Sequence, residues 1–136
     1  MTTLVREAMV AEPVTLGASA PAQEAGNHLG LPDVRAVLVT DDDGRLVGVV
    51  TRSTLVREVV AAGRDPRSTP LGEIVEAPRF TVDADMPVDE AFQLLEDEDL
   101  ERVPVVEAGR LVGVLSRSVL QRRLAEDEPP EPLPAA

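Results

Sequence analysis

The sequence predicts an α+β fold of two tandem β-α-β-β-α units, packed with pseudo-two-fold symmetry, sheets facing and helices outside. Three observations carry this. The stretch "RLVGVVTRSTL" at residues 45–55 returns sixty-five positions later as "RLVGVLSRSVL" at 110–120, with eight of eleven residues unchanged. The repeat extends upstream: Pro13 aligns with Pro78, Ser19 with Asp85, Pro21 with Pro87, Glu24-Ala25 with Glu90-Ala91, and "RAVLV" (35–39) with "RVPVV" (102–106). A period of half the chain is too long for most solenoids. Finally, neither half has the area for a comfortable core, and two copies packed sheet against sheet supply it.

Each element follows from local chemistry. Pro13 and Pro78 open extended runs at 14–16 and 80–82. Ser19 and Asp85 are good N-cap types, with proline two residues inside and acids in the first turn. In the second unit Val88, Ala91, Phe92 and Leu95 keep helical spacing and make one apolar stripe. The matching helix of the first unit is poorer and ends early, because Gly26, Gly30 and Pro32 fall where it would continue. Two short apolar runs follow, 36–39 and 46–50, joined by "TDDDGR" with Asp and Gly where a hairpin needs them. The second unit repeats this as 103–106, "EAGR" and 111–115. A helix follows each hairpin, over 53–62 and 118–124. The units are thus 1–62 and 71–124. Residues 63–70, "GRDPRSTP", read as a linker. The acidic, proline-rich stretch 125–136 reads as a disordered tail.

Composition removes several classes of function. The chain has no Tyr or Trp and only two Phe among its 136 residues, so its core is aliphatic and stacking on bases is nearly unavailable. A net charge of −12 repels nucleic-acid backbones and anionic membrane surfaces, and reads most simply as solubility. The absence of cysteine excludes disulfides, thiolate catalysis and Cys-based metal sites. With a single histidine, His28, there is no zinc site and no catalytic triad. Asp41–Asp43 lack the later ligands of a calcium loop and read as a polar turn, and the acids of 96–101 as a solvated helix end. No apolar leader or membrane-length run is seen, which reads as a cytoplasmic chain.

Taken together, "RVPVV", a glycine turn and "LVGVLSRSVL", with "REAMVAEPVTL" near the start, resemble the CBS domain, named for cystathionine β-synthase. The resemblance covers residues 4–124 and both copies. It implies a Bateman module, regulatory rather than catalytic, that pairs into flat homodimeric discs. It also implies an adenosine ligand such as AMP, ADP, ATP or S-adenosylmethionine in clefts between the sheets. The family's binding signature is Gly, two apolar residues, Thr or Ser, two residues, then Asp, whose carboxylate accepts from the ribose diol. Here it falls on Gly48, Thr51 and Thr54, and on Gly113, Ser116 and Val119. The hydroxyl is kept in both copies and the Asp in neither.

A hydrogen bond to a charged group is worth about 1.5–3 kcal/mol, so losing it weakens affinity by about ten- to a hundred-fold. The expectation is weak adenosine binding, better in the first cleft, lined by Val14, Thr15, Ala36, Val37, Thr51, Arg52 and Thr54. The second cleft, with Val103, Pro104, Ser116, Arg117 and Val119, reads as blank or as taking something without a ribose. Capping alone accounts for Thr51 and Ser116. Arg52 and Arg117 read as anion partners or as solvated. Gly48 and Gly113 mark either close packing or ligand access.

Two functions follow from these residues. One is a ligand-responsive regulator, acting as a homodimer on an effector protein. The other is a degenerate pair kept as a scaffold or interaction module. No nucleophile–base pair, metal cluster or phosphate loop argues for an enzyme.

Overall fold

The two turn signals close the hairpins as read. Gly44 (φ 82°) and Gly109 (φ 80°), the latter preceded by Ala108 at φ 51°, take the left-handed backbone these turns require. The Asp41 carboxylate accepts from the amides of Asp43 and Arg45 at 2.9 Å, an acid spent on a turn. In this computed structural model, which describes residues 3–10 and 14–127, each hairpin is extended by a short parallel strand. The elements of the first unit are α1 (Val5–Ala8), β1 (Thr15–Gly17), α2 (Ala22–Leu29), β2 (Val37–Thr40), β3 (Leu46–Val50) and α3 (Arg52–Leu55). Those of the second are β4 (Val82–Asp83), α4 (Val88–Asp97), β5 (Arg102–Glu107), β6 (Arg110–Ser116) and α5 (Arg117–Asp127). The sheets are ordered β1-β2-β3 and β4-β5-β6, each with a parallel then an antiparallel pair. The α+β class and the doubled unit are thus as expected. The pseudo-dyad shows at the hairpin tips, where the Leu46 amide donates to Gly109 O and the Leu111 amide to Gly44 O.

Side-chain alternation divides the faces. Val37, Val39 and Val50 are buried against the helices of the first sheet, and Val103, Val105 and Leu115 against those of the second. Their neighbours Leu38, Val49, Pro104 and Val114 turn the other way, toward the opposite sheet.

The repeat in sequence is not the division of the core. Val5 and Ala8 of α1 are buried with Val82, Leu95, Val103 and Leu120 of the second unit. Leu71 and Ile74, from the helical turn Leu71–Glu73 after the linker, are buried with Leu29, Val37 and Val59 of the first. Each unit lends its leading segment to the other, and backbone pairs seal the exchange. Val10 and Val114 exchange amide bonds at 2.8 and 3.0 Å, and Val49 and Glu76 at 2.9 and 3.0 Å. This decides the role of the two strand glycines. A Cβ on Gly48 would lie 2.6 Å from Glu76 O, and one on Gly113 would lie 2.8 Å from Val10 O. Both are needed for close passage of the exchanged segment.

Several expectations change. Ser19 and Asp85 do not cap: the cap positions are Pro21 and Pro87, with no side-chain bond. The first helical amides are met from elsewhere in the chain, Ala22 by Thr69 O at 2.8 Å and Val88 by Thr3 O at 2.9 Å. Asp85 instead pairs with Arg6 at 2.5 Å. The helix expected over 53–62 is α3 followed by a π-helical turn, Val56–Val60. That turn buries Val59 and leaves Val56 and Val60 58% and 72% exposed. Residues 63–70 join the units without a helix or strand and are hydrogen-bonded in place. Thr69 is buried and its hydroxyl donates to Asp65 O, while Pro66 O and Thr69 O receive the start of α2. The last helix runs to Asp127, beyond the expected end at 124. Pro13, read as opening the first extended run, and the tail from 128 on lie outside the described residues.

Candidate functional site

The faces turned away from the helices flank an open cavity of about 550 Å³ between the sheets. Its apolar wall is Val14, Ala36, Leu38 and Val49 from the first unit, with Pro104, Val114 and Val119 from the second; Val103 borders it with its side chain in the second core. Val10, on the exchanged segment, closes one side. The polar lining is Ser116 and Ser118, Asp33, and three arginines: Arg35, Arg102 and Arg122. The volume is that of an ordinary small-molecule site.

The doubled motif serves different ends in its two copies. Thr51 and Thr54 form a reciprocal capping box. Each amide donates to the other's hydroxyl, at 3.0 and 3.3 Å, and the hydroxyls lie 3.1 Å apart. Thr54 is fully buried in doing so. Neither residue lines the cavity, so the first copy's hydroxyls are consumed by the fold. In the second copy Ser116 Oγ lies 3.1 Å from Ser118 Oγ and 3.4 Å from the Glu101 carboxylate. Val119, at the position of the family's Asp, lies on the cavity wall.

The motif arginines hold loops. The Arg52 guanidinium donates to Leu31 O and Val34 O at 2.9 and 2.8 Å, clamping the segment that carries Asp33, Val34 and Arg35 to the cavity. Arg117 does the corresponding work through Asp99 at 3.3 Å and Glu101 at 3.7 Å, just before Arg102. The Glu101 carboxylate also accepts from the Ser118 hydroxyl at 2.7 Å. That bond, helped by the Ser118 amide and Arg117 and opposed by partial burial, holds its pKa below the usual carboxylate range.

Of the residues singled out from the sequence, the cavity gathers Val14, Ala36, Val103, Pro104, Ser116 and Val119. It does not gather Thr15, which is exposed on β1, or Val37, which faces the first core. Gly48 and Gly113 pack against the exchanged segments, and Thr51, Arg52, Thr54 and Arg117 cap or clamp. Sequence reasoning missed the three cavity arginines. For two of them the signal was present, since Arg35 and Arg102 occupy the same place in "RAVLV" and "RVPVV". The two-fold brings that place to one cavity.

The family model for the CBS domain matches residues 5–61 and 71–126. Hypoxic response protein 1 of Mycobacterium tuberculosis is 31% identical over 124 residues, 91% of this chain and 87% of that protein. Among solved structures, Hypoxic Response Protein I with two coordinated zinc ions gives a TM-score of 0.75 at 30% identity, covering 89% of this chain and 98% of that one. The CBS domain pair of protein MJ0100, in complex with 5′-methylthioadenosine and S-adenosyl-L-methionine, gives 0.69 at 23% identity, covering 94% and 100%, a likeness of fold alone. The zinc of the first neighbour has no counterpart donor set here: one histidine, no cysteine, and among the described residues no group of three His, Cys, Asp or Glu placed to hold a metal. No helix among the described residues is long and apolar enough to cross a membrane. The doubled motif, the facing sheets and the family match over both halves agree: this chain belongs to the CBS domain family, as a tandem pair of CBS units.

Proposed function

We propose that the chain is a non-catalytic regulatory module that takes an adenosine nucleotide weakly in the cavity between its sheets and passes occupancy to a partner protein. The observation that carries this is the cavity itself. It offers apolar walls for a base, hydroxyls at Ser116 and Ser118, and cationic arginines, in one cleft built from both units. Because Val119 gives no carboxylate to a ribose diol, affinity falls in the range of about 0.1–1 mM, a binding free energy of about 4–5.5 kcal/mol. The site we favour is thus the one around the second motif, not the first, where Thr51 and Thr54 are engaged with each other.

The module acts as a homodimer in this reading. Leu31, Val56 and Val60 are 56%, 58% and 72% exposed on the helices and loops of the first unit, and apolar surface of this kind is what a second copy covers. A second reading, a ligand-free scaffold, is favoured by Val119 and by the closed capping box. A thermal-shift series with AMP, ADP, ATP and S-adenosylmethionine, followed by calorimetry, separates the two. Saturable stabilisation by any of them supports the sensor. No shift at millimolar ligand, for the wild type or for Val119→Asp, leaves the scaffold.

A further inference from the structure

The chain carries twenty-five carboxylates against thirteen basic residues, all of them arginine. In such an excess of acid an arginine finds a carboxylate easily, and Arg6, Arg57, Arg64, Arg67, Arg79 and Arg117 each do. Among the described residues the side chains of Arg35, Arg102 and Arg122 have no ion-pair or hydrogen-bond partner; Arg45 and Arg110 at the hairpin tips share that property, but it is Arg35, Arg102 and Arg122 that meet at one cavity. The one acid in that lining is Asp33. Three exposed guanidiniums beside one carboxylate make a local positive patch at the cavity on a molecule of net charge −12.

From this we infer that the cavity selects its ligand by phosphate charge and not by the ribose: it takes a polyphosphate-bearing nucleotide, and is indifferent to the 2′-hydroxyl. The inference rests on the reading that the cavity binds a nucleotide at all. Guanidinium groups stay charged at every working pH and present paired donors that match phosphate oxygens. Each further phosphate finds a further guanidinium, so a triphosphate gains what a monophosphate cannot. A cationic sulfonium such as S-adenosylmethionine meets repulsion in the same place. The ribose end faces Val119, whose methyl groups neither accept from a diol nor reward one.

Calorimetry on the full chain, at low and at raised salt, tests this with ATP, 2′-deoxyATP, AMP, inorganic tripolyphosphate and S-adenosylmethionine. ATP and 2′-deoxyATP should bind within about twofold of one another, since no charged acceptor distinguishes them. AMP should be weaker by about tenfold, and the ATP affinity should fall with salt. Arg102→Ala should weaken ATP by about tenfold with the melting temperature kept. Arg35→Ala, on the other unit, reads the same loss if Arg102→Ala fails to fold. AMP or S-adenosylmethionine binding as tightly as ATP overturns this inference and leaves the adenosine reading standing. A preference of tenfold or more for ATP over 2′-deoxyATP does the same, and assigns the diol to Asp33 (about one charge-assisted bond). Tripolyphosphate binding as well as ATP keeps the charge selection and overturns the adenosine reading. Binding of none overturns both.

Discussion

Replacing Gly48 by alanine tests the exchange of segments between the two units. The added methyl would meet Glu76 O at 2.6 Å, Val75 Cβ at 2.8 Å and Val75 Cγ2 at 3.1 Å. The first of these is backbone, so no side-chain rotation relieves it, and the 75–76 segment must move away from β3. Overpacking of a filled site costs about 1–3 kcal/mol. The movement also strains the two Val49–Glu76 backbone bonds, now 2.9 and 3.0 Å, each worth about 0.5–1.5 kcal/mol net. Against this, alanine restricts the unfolded chain and returns about 0.4–1 kcal/mol. The balance is a loss of about 2–4 kcal/mol, or a fall in Tm of roughly 6–15 °C for a domain of this size. The control is Gly17→Ala: nothing lies within 4 Å of its Cβ position and its φ is not positive, so its stability should equal or slightly exceed wild type. Thermal and urea unfolding by circular dichroism read both. If Gly48→Ala is as stable as Gly17→Ala, the 75–76 segment does not pass against β3 and the exchange described above is wrong.

Gly113→Ala makes the matching test from the other side. Its Cβ position lies 2.8 Å from Val10 O and 2.7 Å from the Met9 sulfur, so destabilisation is again expected, lessened to the extent that the flexible thioether moves. Thr54→Val removes the acceptor of the Thr51 amide within the buried capping box, and unfolding experiments should show a loss of about 1–3 kcal/mol without any change in cavity binding. Glu101→Gln should be less stable than wild type at neutral pH, within the range of about 0.2–1 kcal/mol for half-exposed charges. Because the folded protein holds the Glu101 pKa below its unfolded value, that contribution is present above the usual carboxylate range and is lost as pH falls through the lower folded value. The gap in Tm between wild type and variant should therefore close in acid, and a gap that widens there refutes the assignment. Arg52→Ala frees the carbonyls of Leu31 and Val34, and hydrogen exchange should quicken in residues 31–35 while the sheets stay protected.

The sequence alone determined what depends on neighbours in the chain. The hairpins follow from Gly44 and Gly109, the helical stripe of α4 from its spacing, and the family from the doubled "RLVG" motif, because turns and amphipathic faces are set within a few residues. The motif glycines were legible as positions of close approach, although what approaches them was not. Tertiary structure alone decided the rest. Ser19 and Asp85 were passed over as caps because carbonyls of Thr69 and Thr3, about fifty and eighty residues away, met the helix amides first. Leading segments crossed to the other unit, where Val5 and Leu71 are fully buried among aliphatic partners. The same motif turned its hydroxyls inward at Thr51 and Thr54 and toward the cavity at Ser116, and of the three positions where the copies differ the telling one is Thr54 against Val119. Thr54 brings a second hydroxyl that completes a buried cap, and a valine offers no partner. Nor could one dimension show that Arg35 and Arg102 share a cavity, for it is the pseudo-dyad, a property of the packed pair of sheets, that carries one repeat's arginine to the other's.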